Sequence, residues 1–242
     1  MTRLGNTFVI GLAIPFSFIQ IQAASLANQS DVDGILARMS EVRAANRAHR
    51  RPFEVIRNYR LFGKKLDIAE SEVTAHVSYL PPNGQSFTVH KDRGTSLGEL
   101  IVRRILEHEK LVLADQAAGD ISKENYAFRL LGQETRDQKP CFILEMKPSR
   151  KDPKLLVGKV WIDENTYLIS RIEGEPSQPP SWWIHNIRLT LDFNVVHGMW
   201  VQSALESTAN VRMLGAHTIV ARDVEYKMGE IEVAVTKPTA RQ

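Results

Sequence analysis

From Phe53 onward, apolar side chains recur at every second position. Val55, Tyr59 and Leu61 share one side of the run with a single charged residue, Arg57, while Glu54, Asn58 and Arg60 take the other, until Gly63 stops the pattern. Val73, Ala75, Val77 and Tyr79 alternate with Thr74, His76 and Ser78. Pro81-Pro82-Asn83-Gly84 then supplies a turn, and Phe87 and Val89 alternate with Ser86, Thr88 and His90. A period of two with tight turns predicts a meandering antiparallel sheet with one apolar face.

Two stretches have helical spacing instead. Val32, Ile35, Leu36, Met39 and Val42 form one stripe, with Ser30 as N-cap, Asp31 and Asp33 in the first turn, and Arg38, Glu41 and Arg43 on the polar face. In the second, Ser96 caps with Glu99 three residues on, and Leu97, Leu100, Ile101, Ile105, Leu106, Leu111 and Val112 build a broad stripe. Beyond Gly119 the chain reads as strands over 126–130, 142–146, 156–162, 168–174, 187–195, 200–206, 211–214 and 217–227. The turn signals between them, Asp163-Glu164-Asn165 among them, suit one large curved sheet and not βαβ units. Three prolines in residues 175–181 exclude a central strand there.

About ten strands with one apolar face and only two helices to bury it require the sheet to curl around them. The expected fold is α+β: a large curved antiparallel sheet forming an unclosed β-barrel, with helices covering the opening. The apolar cavity this encloses suits lipid tails.

Composition narrows the setting. The 242 residues are 43% hydrophobic and 24% charged, with 31 Lys and Arg against 28 Asp and Glu, the balance of a globular protein with no reason to bind nucleic acid. The single cysteine, Cys141, excludes an internal disulfide framework and a multi-cysteine zinc site, and within CFILEM it reads as a small buried hydrophobe. Residues 7–21 carry no charge, follow Arg3 and precede small residues at Ala23, Ala24, Ser25 and Ala27, the layout of a secretory signal peptide. At 1.5 Å per residue this stretch reaches only about 22 Å, short of a ~30 Å hydrocarbon core. The expectation is a signal peptide over 1–27, a single domain over 28–237 working outside the cytoplasm, and a frayed tail over 238–242. No cysteine near the cleavage region offers a lipidation site.

Candidate chemistry is sparse. No GxSxG elbow, phosphate loop or GxGxxG opening a helix occurs, and the seven histidines show no HxH or HxxxH spacing. Glu107, His108 and Glu109 lack the HExxH pattern and read as a wet helix face. His76 and His90 read as outward positions of a hairpin. Arg47, His49, Arg50 and Arg51 form a basic cluster, explained by a solvated helix C-terminus or by contact with an anionic surface. Trp182-Trp183 reads as a membrane-touching or ligand-stacking pair, or as a core Trp beside an exposed one. The chain is expected to be non-enzymatic, with no cofactor and no metal.

Residues 158–175, GKVWIDENTYLISRIEGE, resemble the signature hairpin of the LolA/LolB-like outer-membrane lipoprotein-sorting superfamily. PCFILEMKP before it, HTIVARDVEYK near the end and FEVIRNYRLFG near the start resemble the flanking, closing and first strands, so the resemblance spans about 31–227. It implies a periplasmic, monomeric, non-covalent binder of lipoprotein acyl chains or other lipid, with transient contacts to inner- or outer-membrane proteins and no cofactor. Lacking a lipidated cysteine, the chain resembles a soluble carrier or sensor more than an acceptor. Arg57 is the candidate for the carrier's pocket arginine, needing partners such as the lid backbone or a ligand carbonyl; the alternative is a residue snorkelling at a sheet edge. Val55, Tyr59, Leu61, Val73, Val77, Phe87 and Val89 would line the sheet side of the acyl cavity, and Leu100, Ile101 and Ile105 the lid. The alternatives are a lipoprotein-sensing or protein-interaction module in envelope signalling, and a hydrolase with a histidine and a carboxylate meeting inside the cavity.

Overall fold

Alternation in the sequence becomes one sheet in the computed structural model, which describes residues 17–179, 184–213 and 215–229, with side chains from residue 31 onward. Most of the apolar stretch 7–21, Trp182-Trp183 and the tail 238–242 lie outside these residues. The elements are α1 (Ser17–Ala48), β1 (Phe53–Phe62), β2 (Ser71–Leu80), β3 (Gly84–Arg93), α2 (Ser96–Ala114), α3 (Gln116–Gly119), β4 (Tyr126–Arg136), β5 (Lys139–Pro148), β6 (Leu156–Asp163), β7 (Ile169–Pro176), β8 (Ile184–Val196), β9 (Met199–Val211) and β10 (Gly215–Met228). The ten strands run in the order β3-β2-β1-β10-β9-β8-β7-β6-β5-β4, and every pairing is antiparallel. The first and last strands pair inside the sheet, third and fourth from the β3 edge, and the two edges, β3 and β4, do not meet, so the curved sheet stays open.

Register explains the core. Leu130, Leu144, Val160, Ile172, Leu191, Leu205, Ala221, Tyr59 and Val73 stand opposite one another in turn, an apolar row across nine of the ten strands. Because side chains alternate with period two, this row fixes the inner face of each strand. Val32, Ile35, Leu36 and Met39 of α1 pack with Leu144, Met146, Val160 and Ile162 toward one side of the sheet. Val102 and Leu106 of α2 pack with Val55, Tyr59, Val73 and Val77 toward the other. No helix among the described residues is long and apolar enough to cross a membrane.

The structure corrects several details. Helix α1 starts at Ser17, so Ser30 lies inside it and caps nothing. Arg43 is not on a polar face: it is buried, its Nη1 lies 2.9 Å from Asp120 and its Nη2 donates to the Ile121 carbonyl at 2.9 Å. Helix α2 takes Thr95, not Ser96, as N-cap, without a side-chain capping bond. The strand expected over 211–214 is not separate where the structure describes it: Val211 is the last residue of β9, and residues 212 and 213 form a turn. Strand β4 continues through Gly132, which absorbs a bulge at φ 143°, a backbone that glycine adopts without a Cβ clash. Gly158 and Gly174 stand opposite each other on β6 and β7, so close that a Cβ on Gly158 would lie 1.9 Å from the Glu173 carbonyl oxygen. Asp163 closes the next turn as expected, its Oδ1 accepting from the backbone N–H groups of Asn165 and Thr166 at 2.9 Å each. Cys141 is buried, and burial raises its thiol pKa.

Candidate functional site

A charged cluster sits within the apolar inner face where α2 meets the sheet. The pairing of β1 with β10 slips by one residue between Ile56 and Arg57, and the bulge sets Arg57 opposite Asp223. The Arg57 side chain is only 3% exposed and that of Asp223 only 2%. Charges so buried must be paired, and these are. Arg57 Nε donates to Asp223 Oδ1 at 2.5 Å and Nη2 donates to Oδ2 at 3.4 Å, a two-pronged contact along one edge of the guanidinium. On its other side, Nη1 donates to Glu109 of α2, at 3.1 Å to Oε1 and 3.0 Å to Oε2. The Tyr226 hydroxyl donates to Asp223 Oδ2 at 2.7 Å, and Arg57 Nη1 lies 3.5 Å from the Tyr59 hydroxyl.

Burial opposes the charge on Arg57, but Glu109, the neighbouring tyrosines and Asp223 more than offset it, and its pKa stands well above the ordinary value. The same burial pushes the Tyr79 hydroxyl up to about 12 and moves Tyr59 and Tyr226 upward as well. One cation between two carboxylates carries a net negative charge, so the cluster as it stands is no anion site. Phe53 stacks on Tyr79 with ring centroids 4.6 Å apart, and Tyr226 lies 6.3 Å from Phe53. Across from Tyr79 on β3, Gln85 is buried with both amide atoms lacking a hydrogen-bond partner among the described residues.

The residues named from the sequence for an acyl cavity come together here. Val55, Tyr59, Leu61, Val73, Val77 and Val89 are buried in one cluster, with Phe87, Ile101 and Ile105 half-buried against it. Leu100 instead lies on the far side of α2, 51% exposed, and Val102 and Leu106 take the inward positions. The sequence pattern points to neither partner of Arg57: Glu109 has the spacing of a wet helix face, and Asp223 belongs to no motif. Glu109 does follow Val102 and Leu106 at helical spacing, which puts all three on one side of α2.

Elsewhere, the outer face holds a hollow of about 140 Å³ lined by Arg171, Thr190, Asp192, Glu206 and Arg222, with Asp192 bridging Arg171 at 2.7 Å and Arg136 at 3.2 Å. A second hollow, of about 400 Å³, opens beside the β1–β2 loop. His76 and His90 meet edge-on at 5.9 Å on exposed positions of β2 and β3. Among the described residues, no group of three or more His, Cys, Asp or Glu is placed to hold a metal.

No family model matches the chain, and no curated protein matches it in sequence. Among solved structures it is similar to a DUF1329 family protein from Desulfovibrio piger, at 14% identity and TM-score 0.40 over 84% of this chain and 92% of that one. It is also similar to a putative outer membrane lipoprotein-sorting protein domain from Vibrio parahaemolyticus, at 12% identity and TM-score 0.36 over 78% and 91% of the two chains. A LolA superfamily protein from Nitrosomonas europaea matches at 12% identity and TM-score 0.37 over 82% and 94%.

Proposed function

We propose that the protein is a non-enzymatic periplasmic binder of acyl chains, of the kind that carries lipoproteins or lipids in outer-membrane lipoprotein sorting, and that α2 is its lid. The observation that carries this reading is the Arg57–Glu109 contact between α2 and the mostly apolar inner face of the sheet. Helix α2 joins no strand ladder; it rests on the inner face through Val102 and Leu106 and is tied there by the Arg57–Glu109 pair and by Arg103 Nη2 donating to the Val89 carbonyl at 3.5 Å. The inner residues are packed in this conformation, so an acyl chain reaches them only when α2 lifts. Lifting exposes the aliphatic side chains of β1, β2 and β3 and frees Arg57 Nη1, which can then donate to an ester or amide carbonyl. Gln85, with its unpartnered amide, offers a second polar contact at the end of the same face. Each buried methylene contributes about 0.8 kcal/mol, so a tail of ordinary length offsets the loss of α2 packing.

Native mass spectrometry of the protein purified from a bacterial envelope, with displacement of a fluorescent fatty acid as a second readout, tests the reading. Bound lipid and saturable displacement are expected. Protein that is always ligand-free, and that ignores the probe both as wild type and as Glu109→Ala, would refute it.

A further inference from the structure

We infer that the end of the sheet carrying the β1–β2 loop and the β9–β10 turn docks on an anionic lipid surface. Phe62, the last residue of β1, pairs with Thr218, and Gly215 pairs with Val211, so loop 63–70 and the turn at residues 212 and 213 lie side by side. Lys64, Lys65 and Ile68 share a hollow of about 400 Å³ with His217 of β10. At the tips, Leu66 is 67% exposed, Ile68 59% and Met213 98%. Three large apolar side chains held in water on adjacent tips mark a contact surface.

The loop is built to project. Its neck is closed by the Glu70 N–H donating to the Leu61 carbonyl at 2.7 Å, and Arg93 Nη2 donates to the Ala69 carbonyl at 3.3 Å. The Glu70 carboxylate folds back over Gly63, where a Cβ would lie 2.1 Å from it. The turn into α2 lies against Glu70 and Ser71 at Gly94, so the exposed Leu97 in the first turn of that helix belongs to the same end. Lys64 and Lys65 precede Leu66, and Arg212 precedes Met213; with Asp67 and Glu70 counted, the tips keep one net positive charge.

The chemistry favours lipid over protein. Separate apolar tips beside lysines can enter between headgroups while the ammonium groups stay at the phosphates, whereas protein interfaces are depleted in lysine and want a continuous packed patch. This inference is independent of the acyl-chain reading, because the rim lies outside the Arg57 face.

The experiment places an environment-sensitive fluorophore at Met213→Cys in the full chain, where Cys141 is buried, and compares vesicles of phosphatidylcholine with vesicles containing about 30% phosphatidylglycerol. With the anionic vesicles the emission shifts to the blue and is quenched by spin-labelled lipid. The same label at Leu80→Cys, 57% exposed at the opposite end of the sheet, stays in water. Lys64→Glu with Lys65→Glu weakens the response about tenfold or more, and Leu66→Ser with Ile68→Ser removes it. A label at 213 that stays in water while the protein sediments with vesicles, an equal response to neutral vesicles, a rim that answers only to a protein partner, or variants that match the wild type would each overturn the inference.

Discussion

Arg57 on β1 and Glu109 on α2, 52 residues apart in the chain, meet through both carboxylate oxygens of the glutamate. Glu109 is 22% exposed, so it can leave for water at modest cost, whereas Asp223 on the other side of the guanidinium has nowhere to go. The two carboxylates therefore play different parts: one fixes the arginine, the other fastens the helix.

Glu109→Ala should loosen α2 without unfolding the sheet. The expected loss is about 1–3 kcal/mol, the range for a hydrogen bond to a charged group. Hydrogen exchange should quicken about tenfold or more in α2, while β1 and β10 keep their protection. Exchange that quickens uniformly across the sheet would show that the contact is not specific to the helix.

Arg57→Ala should cost more, about 3–5 kcal/mol, because it strands Asp223 as a buried unpaired carboxylate. Arg57→Met combined with Asp223→Leu removes both charges and should recover most of that stability, while α2 stays as loose as in Glu109→Ala. Urea denaturation of the singles and the double measures this; a double variant no more stable than Arg57→Ala would contradict the assignment.

Gly158→Ala should destabilise by about 1–3 kcal/mol, since its methyl group would meet the Glu173 carbonyl oxygen and the Gly174 Cα across the ladder. Gly34→Ala is the control: nothing lies within 4 Å of its Cβ position on α1, and alanine is the better helix former. Thermal melts should show the first variant lowered and the second unchanged or raised.

The tyrosines give a pH signature. Tyr79 titrates at about 12 in the folded protein against about 10 in an unfolded chain, so its neutral form contributes stability fully below pH 10 and loses that contribution as pH rises through 12. Absorbance at 295 nm should show Tyr59, Tyr79 and Tyr226 ionising above the ordinary tyrosine range, with the loss of folded structure in the same window. These three ionising near pH 10 with the far-UV signal intact would contradict the burial of this cluster.

What could be read from the chain was whatever depends on near neighbours. The alternation from Val55 to Leu61 and from Val73 to Tyr79 fixed both the strands and their inner side, and Asp163 announced its turn. What escaped depends on distant partners. Arg43 looks like a surface residue until Asp120, 77 positions on, arrives to neutralise it. Glu109 looks wet until Arg57 is placed beneath it, and Asp223 lies 166 positions from the same arginine. Leu100 misled for another reason: the apolar stripe of α2 is wider than the face the sheet covers, and spacing alone cannot show which edge is left in water.

The pairing of β1 with β10 also sets an order of assembly. These two neighbours are the first and last of the ten described strands to emerge from any machine that delivers the chain from its N-terminus. The β1–β3 meander and the β4–β9 meander can each zip locally, but they remain separate sheets of three and six strands until Gly215–Met228 slides between them. Closing so long a loop is entropically slow, and until it happens β1 and β9 each present an unpaired edge and Arg57 lacks its buried counter-ion. The last strand is thus the keystone of the arch, and a chain stopped before residue 215 would be two sticky fragments on one tether.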